Sequence, residues 1–171
     1  MAAEFEGRSV LITGAAGGFG RVLTRAFAER GAHVLAADVA ADGLSALADD
    51  LKAAGIDDRV TTRTVDISDH EACVRAVAAA SEPRGHLDIL INNGALSMNV
   101  ISPSHMTEMV EIEAIEPAVW DKFLAVNMSG GWYLTRAAVP GMKKAGWGRI
   151  INVTTSFFTM LRGRFHPYGP S

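Results

Sequence analysis

Apolar positions along the chain switch repeatedly between short continuous runs and stripes spaced three and four apart, which predicts strands and helices in succession. Ser9 to Thr13 reads as a first strand. Phe19, Val22, Leu23, Ala26 and Phe27 then fall at helical spacing and predict a core-facing stripe, with Gly31 as the C-terminal stop. His33 to Ala37 gives a second strand, Leu44, Leu47, Ala48 and Leu51 a second helix, and Val60 to Val65 a third strand. Ser68-Asp69-His70-Glu71 has the form of a capping box, Ser68 as N-cap and Glu71 reaching back, and opens a helix through Val74 and Val77. Leu87 to Ile91 is a largely apolar run suited to a buried parallel strand. A long helical pattern extends from about Pro117 to Lys144, with a break or kink expected near Pro140, and Arg149 to Val153 is a fifth strand. Strands alternating with helices in this way predict an α/β fold with a parallel sheet built from βαβ units. No internal repeat, low-complexity tract or linker divides the pattern, so residues 1–171 are expected to form one domain.

The junction between the first strand and the first helix carries the strongest chemical signal. Thr13-Gly14-Ala15-Ala16-Gly17-Gly18-Phe19-Gly20 places a glycine-rich turn between an apolar strand and a helix. In that context Gly14 supplies the tight turn, Gly18 lets backbone N–H groups approach a pyrophosphate, and Gly20 allows close helix–strand packing. The diphosphate would rest at a helix N-terminus, where unpaired N–H groups and the helix dipole favour negative charge. The alternative is a flexible loop. Asp38 follows at the end of the second strand, about 20 residues on, where a carboxylate accepts hydrogen bonds from an adenosine ribose. A 2′-phosphate there would meet like charge, and neither Ala15-Ala16-Gly17 nor Val39-Ala40-Ala41 contains Arg or Lys, so NAD is expected rather than NADP. A simpler role for Asp38 is to cap the next turn.

Composition narrows the function classes. The 171 residues carry a formal net charge of −3 with Lys and Arg scattered, which gives no footprint for nucleic acid. The single cysteine, Cys73, excludes an internal disulfide and a multi-cysteine metal cluster, and no metal site is expected. The N-terminal residues lack the basic and apolar regions of a signal peptide, and no run approaches a membrane span. The expectation is a soluble cytoplasmic protein.

The glycine spacing, together with later motifs, resembles the short-chain dehydrogenase/reductase family, and the resemblance runs from Arg8 to Ser171. It implies a Rossmann-like doubly wound parallel sheet, with five strands in this chain and the last part of the fold missing. Asp66 and the adjoining Ile67 follow the third strand, where the family uses an Asp to hold the adenine amino group; an ordinary loop carboxylate is the alternative. Asn92-Asn93-Gly94-Ala95 resembles the family's Asn-Asn-Ala-Gly with the last two residues exchanged, and otherwise reads as an Asn-Gly turn. The cofactor set implied is therefore Gly14, Gly18, Phe19, Gly20, Asp38, Asp66, Ile67, Asn93 and Gly94.

The resemblance also implies the chemistry. Asn127 matches the helix asparagine whose backbone carbonyl binds a water in the family's proton relay, and Gly130-Gly131 beside it would weaken the helix. Thr155 lies thirteen positions before Tyr168, the family's serine-to-tyrosine spacing, with Ser156 a second candidate for the hydroxyl. Tyr168 would move a proton at the substrate oxygen while hydride passes between the substrate carbon and nicotinamide; a half-buried loop aromatic is the plainer reading. The family pattern places a lysine directly after the position of Ser171, followed by its helix and two further strands. A free phenol titrates near pH 10, and each unit of depression takes about 1.4 kcal/mol of preferential phenolate stabilisation. The chain therefore reads as an incomplete part of an NAD-dependent oxidoreductase acting on a secondary alcohol or ketone. The alternative is a non-catalytic dinucleotide-binding module; a methyltransferase fits poorly because the matches continue to Tyr168.

Two further expectations concern surfaces. The loop from Ser97 to Pro117, with Met98, Met106 and Met109, would emerge beside the ligand crevice as part of a substrate pocket or lid, or pack on a neighbouring subunit. His105 within it is expected to face solvent. The resemblance implies a homo-oligomer pairing through the long helix with Trp120, Phe123 and Tyr133.

Overall fold

A computed structural model describes residues 3–105, 107–108, 110–155, 167–168 and 171. Its regular elements are β1 (Ser9–Thr13), α1 (Gly18–Glu29), β2 (His33–Asp38), α2 (Ala41–Ala53), β3 (Val60–Thr64), α3 (His70–Ser81), β4 (Ile89–Asn92), α4 (Pro117–Phe123), α5 (Gly131–Ala145) and β5 (Arg149–Asn152). The five strands form one sheet in the order β3-β2-β1-β4-β5, with every pairing parallel. The chain thus winds outward from β1 in one direction through β3 and then returns to the other side with β4. This reversal opens a crevice at the carboxyl ends of β1 and β4, where α/β sheets bind ligands.

Alternate residues of the central strands feed two cores. Leu11, Leu35 and Leu90 face α3 and α5, meeting Cys73, Ala76, Leu134 and Ala138. Val10, Ile12, Val34 and Ile89 face the opposite way, toward Ala28, Leu44, Leu47 and Leu51. Both faces being covered explains why these strands read as continuous apolar runs. At β5, Ile151 and Val153 remain 46% and 44% exposed.

Several local expectations are corrected. Phe19 and Val22 are exposed at 58% and 62%, and α1 instead buries Gly20, Thr24 and Ala28, because small residues let it lie close to the sheet. Asp69, not Ser68, caps α3, its carboxylate accepting from the N–H groups of Glu71 and Ala72 at 2.8 and 3.1 Å. β4 starts at Ile89 rather than Leu87, since the Asp88 N–H is taken by the backbone and side-chain oxygens of Ser9. β3 stops at Thr64 and β5 at Asn152, while β2 extends to Asp38.

The helix irregularity lies upstream of Pro140. α5 passes through Pro140 without ending, and a π-helical segment, Leu124–Gly130, joins it to α4. Such a segment accommodates an extra residue per turn and marks functional sites in many helices. Gly130 brings this segment close to Ile67, where a Cβ would lie a tight 3.0 Å from its side chain and carbonyl. Phe123, expected at a subunit interface, is fully buried within this chain, and Tyr133 is half-buried against the α3 core, leaving Trp120 as the more exposed member of that trio.

At the opposite end of the sheet from the crevice, Asp88 is fully buried and tied to Arg8 at 2.8 Å, Arg84 at 2.9 Å and the Ser9 N–H at 3.0 Å. Burial raises its carboxyl, but the Ser9 and Arg8 hydrogen bonds and the Arg84 charge outweigh that and hold it below the usual carboxylate range. Among the described residues, no helix is long and apolar enough to cross a membrane.

Candidate active site

The glycine-rich turn takes its shape from steric limits that can be read atom by atom. Gly14 has φ +65°, and a Cβ on it would lie 2.8 Å from the Cα of Gly94. A Cβ on Gly20 would collide with the Gly14 carbonyl and sit 2.7 Å from the Cα of Ala15. Gly18 differs: a Cβ there would meet nothing within 4 Å, so its side faces open space at the first position of α1. The first helical bond closing this turn runs from the Arg21 N–H to the Gly17 carbonyl, so the N–H groups of Gly18, Phe19 and Gly20 precede the intrahelical ladder. The result is a cradle of donors with room for an anion beside Gly18.

Asp38 stands next to this cradle. Its Oδ2 accepts from the Ala16 N–H and its Oδ1 from the Ala40 N–H, both at 2.9 Å, so one carboxylate joins the glycine turn to the start of α2. The capping role and the position expected of a ribose-binding carboxylate thus coincide in one residue.

Thr13 organises the other wall. Its hydroxyl oxygen accepts from the N–H groups of Asn93 and Gly94 at 3.1 and 3.0 Å, and the Asn93 amide donates to the Thr13 and Gly14 carbonyls at 2.9 and 3.2 Å. The exchanged Gly94 therefore sits where a side chain would crowd: its Cβ would lie 3.1 Å from the Gly14 nitrogen. Thr13 was legible as the end of the strand and the first residue of the glycine-rich stretch, but its hydroxyl as an acceptor for the Asn93-Gly94 backbone was not.

A smaller cavity of about 200 Å³ lies between these walls, lined by Gly14, Asp38, Asp66, Ile67, Lys122 and Val126 among others. Asp66 is exposed, and its carboxyl is held below the usual range chiefly by the Ser68 hydroxyl at 2.6 Å and the Ser68 N–H at 2.9 Å. Lys122 adds a favourable charge there; a single lysine in an amphipathic helix gave no sequence signal for this position.

Through Ile67, Gly94 and Ala95 this cavity adjoins a larger crevice of about 760 Å³. Asn127, Thr155 and Tyr168 all line it, together with Met128, Trp132 and Asn152. Thr155 is exposed just past β5, and Tyr168 is half-buried. Ser156, the alternative hydroxyl, lies outside the described residues. Asn127 lies in the π segment with its side chain engaged: Oδ1 accepts from the Leu96 N–H at 2.8 Å, while Nδ2 donates to the Leu96 carbonyl and the Ser171 hydroxyl at 3.1 Å. Asn92 of β4 donates to Asn152 of β5 at 2.8 Å and braces the crevice floor.

The loop beyond Leu96 is anchored by Met98, which is buried, whereas Met106 and Met109 lie outside the described residues. His105 is half-buried rather than solvent-facing, with Nδ1 3.0 Å from the Ser102 carbonyl. Among the described residues no three His, Cys, Asp or Glu side chains gather as a metal site would require.

A family model described as short chain dehydrogenase matches residues 8–171. The chain belongs to that family. It is 31% identical over 152 residues to the 3-oxoacyl-acyl-carrier-protein reductase FabG of Thermotoga maritima, covering 89% of this chain and 57% of that protein. It is likewise 31% identical over 158 residues to 3beta-hydroxysteroid dehydrogenase 2 of Eggerthella lenta, covering 92% and 56%. The crystal structure of a putative short-chain alcohol dehydrogenase from Sinorhizobium meliloti superposes with a TM-score of 0.82 at 29% identity, over 100% of this chain and 63% of that one. The chain spans little more than half the length of the curated relatives it matches.

Proposed function

We propose that this chain forms the dinucleotide-binding part of an NAD-dependent oxidoreductase that interconverts a secondary alcohol and a ketone. The observation that carries the reading is the Asp38 carboxylate, held by Ala16 and Ala40 at the rim of a cavity that opens into the crevice of Asn127, Thr155 and Tyr168. The donors of Gly18, Phe19 and Gly20 would take the pyrophosphate, Asp38 the adenosine ribose, and Asp66 with Ile67 the adenine edge. Asn93 and Gly94 would border the nicotinamide half. A bound nicotinamide supplies or accepts the hydride at the substrate carbon.

The protein's own groups manage the oxygen. The Thr155 hydroxyl, or that of Ser156, would donate a hydrogen bond to the substrate oxygen, and Tyr168 would give the proton in reduction and take it back in oxidation. Asn127 would keep the Leu96 backbone in place beneath the cofactor. Homo-oligomer formation is part of this proposal, with the exposed Trp120 as its local contribution.

Titration of the chain with NADH and NADPH, followed by calorimetry, tests the cofactor reading: clear preference for NADH is expected, and equal affinities overturn it. A binding module without turnover is favoured by one observation, that no Lys or Arg lines the larger crevice among the described residues. Dinucleotide binding with no oxidation of secondary alcohols by a longer, lysine-bearing form would establish that second reading.

A further inference from the structure

Arg21 sits one position beyond the glycine turn, on α1, and its guanidinium is distributed over three acceptors. Nε donates to the Ala16 carbonyl at 2.9 Å, Nη2 to the Gly43 carbonyl at 2.8 Å, and Nη1 to the Asp50 carboxylate at 3.1 Å. The Ala16 peptide is thus gripped on both sides, its N–H by Asp38 and its carbonyl by Arg21. Gly43, in the first turn of α2, completes the contact: a Cβ there would lie 2.8 Å from the Ala16 Cβ. The Arg21–Asp50 pair is largely exposed and by itself worth little, so the two carbonyl bonds give the residue its meaning.

We propose that Arg21 is a positioning residue for cofactor choice: by clamping α2 onto the glycine turn, it fixes Asp38 and closes the space that a 2′-phosphate would need. The inference rests on the reading of Asp38 as the ribose-binding carboxylate. A planar guanidinium with fixed donor directions can bridge two carbonyls that a lysine ammonium, a flexible point charge, does not hold in register. When the bridge is lost, α2 and Ala40 are free to move away from Ala16. Asp38 then keeps its charge but loses its fixed placement, so NADH binds less well while the widened gap admits NADPH.

Four variants of the full chain, measured with NADH and NADPH by calorimetry and with melting temperature alongside, test this. Arg21→Met is expected to weaken NADH about tenfold, the scale of one charge-assisted hydrogen bond between Asp38 and the ribose, while NADPH holds or gains. Arg21→Lys should behave like Arg21→Met, because charge alone does not rebuild the bridge. Gly43→Ala should narrow the same ratio with Arg21 intact, since the added methyl wedges α2 from the turn, and it keeps the test open if either Arg21 variant fails to fold. Asp38→Ala serves as the reference. A melting temperature that drops with the NADH-to-NADPH ratio unchanged, or a ratio fully retained in Arg21→Lys, overturns the inference. Absence of NADH preference in the unmodified chain overturns the reading of Asp38 instead.

Discussion

Asp38 and Ala16 are joined by a 2.9 Å hydrogen bond from backbone N–H to carboxylate, which sets a fixed negative charge against the glycine turn. That charge would stand beside any phosphate on the ribose 2′-oxygen. Asp38→Ala is expected to raise NADPH affinity relative to NADH by about tenfold, equivalent to removing about 1.4 kcal/mol of discrimination. Calorimetric titration of both dinucleotides checks it, and an unchanged ratio would place the ribose elsewhere.

Gly18 and Gly20 should respond oppositely to the same substitution. Gly20→Ala forces a methyl against Gly14 and Ala15, so a lowered melting temperature is expected. Gly18→Ala meets open space at the start of α1, where alanine is the better helix former by up to about 1 kcal/mol, so the fold should be kept or strengthened. NADH binding should nevertheless fall in Gly18→Ala, because its methyl points where the pyrophosphate is expected. Melting curves and titrations on the two proteins separate a ligand-facing glycine from a packing glycine.

The difference between these glycines shows how far the sequence reaches. Spacing identified the turn, the five strands and the position of Asp38 at the end of β2, because these depend on local period and chain order. Their parallel arrangement follows from strands separated by helices. Helical period does not distinguish an α turn from a π turn: Gly130-Gly131 marked a weak point, but the π segment Leu124–Gly130 ending there had no signal of its own, and Pro140, where a break was expected, lies inside a continuous α5. Arg21 reads as a solvated helix face; its partners, Ala16 and Gly43, come from segments that only the folded sheet brings together. Asp88 is equally silent in sequence, since the two arginines and the serine that hold it lie on both sides of the chain's first crossover.

Asp88 should make stability fall in acid. Its folded-state carboxyl titrates below the unfolded value of about 3.9, so the ion pairs contribute fully above that pH. The contribution disappears as pH falls through the lower folded-state value. Asp88→Asn is expected to cost on the order of 2 kcal/mol near neutrality, the scale of charge-assisted hydrogen bonds lost to a buried carboxylate whose arginine partners remain partly in solvent. Denaturant midpoints should therefore differ between the two proteins at pH 7 and draw together as pH falls below about 3.9. A constant gap across that range would show that the carboxylate charge is not what Asp88 supplies.

Tyr168 is the proposed acid/base of the crevice. It lines the same space as Thr155 and Asn127, yet no Lys or Arg among the described residues stands there to favour a phenolate. Oxidation of a secondary alcohol by the 171-residue chain should accordingly be undetectable at neutral pH, even where NADH binds through the glycine turn and Asp38. A longer form carrying a lysine directly after Ser171 is expected to turn over. In that form Tyr168→Phe should lower kcat by at least about a hundredfold, the scale of general acid–base catalysis, while NADH affinity stays nearly constant. On the proposed reading the phenolic proton is used in the reaction while Tyr168 is not among the groups assigned to hold the dinucleotide, so kcat and affinity should separate. Loss of NADH binding together with turnover in Tyr168→Phe would make the residue part of the binding wall, and full activity in that variant would assign the proton transfer to another group.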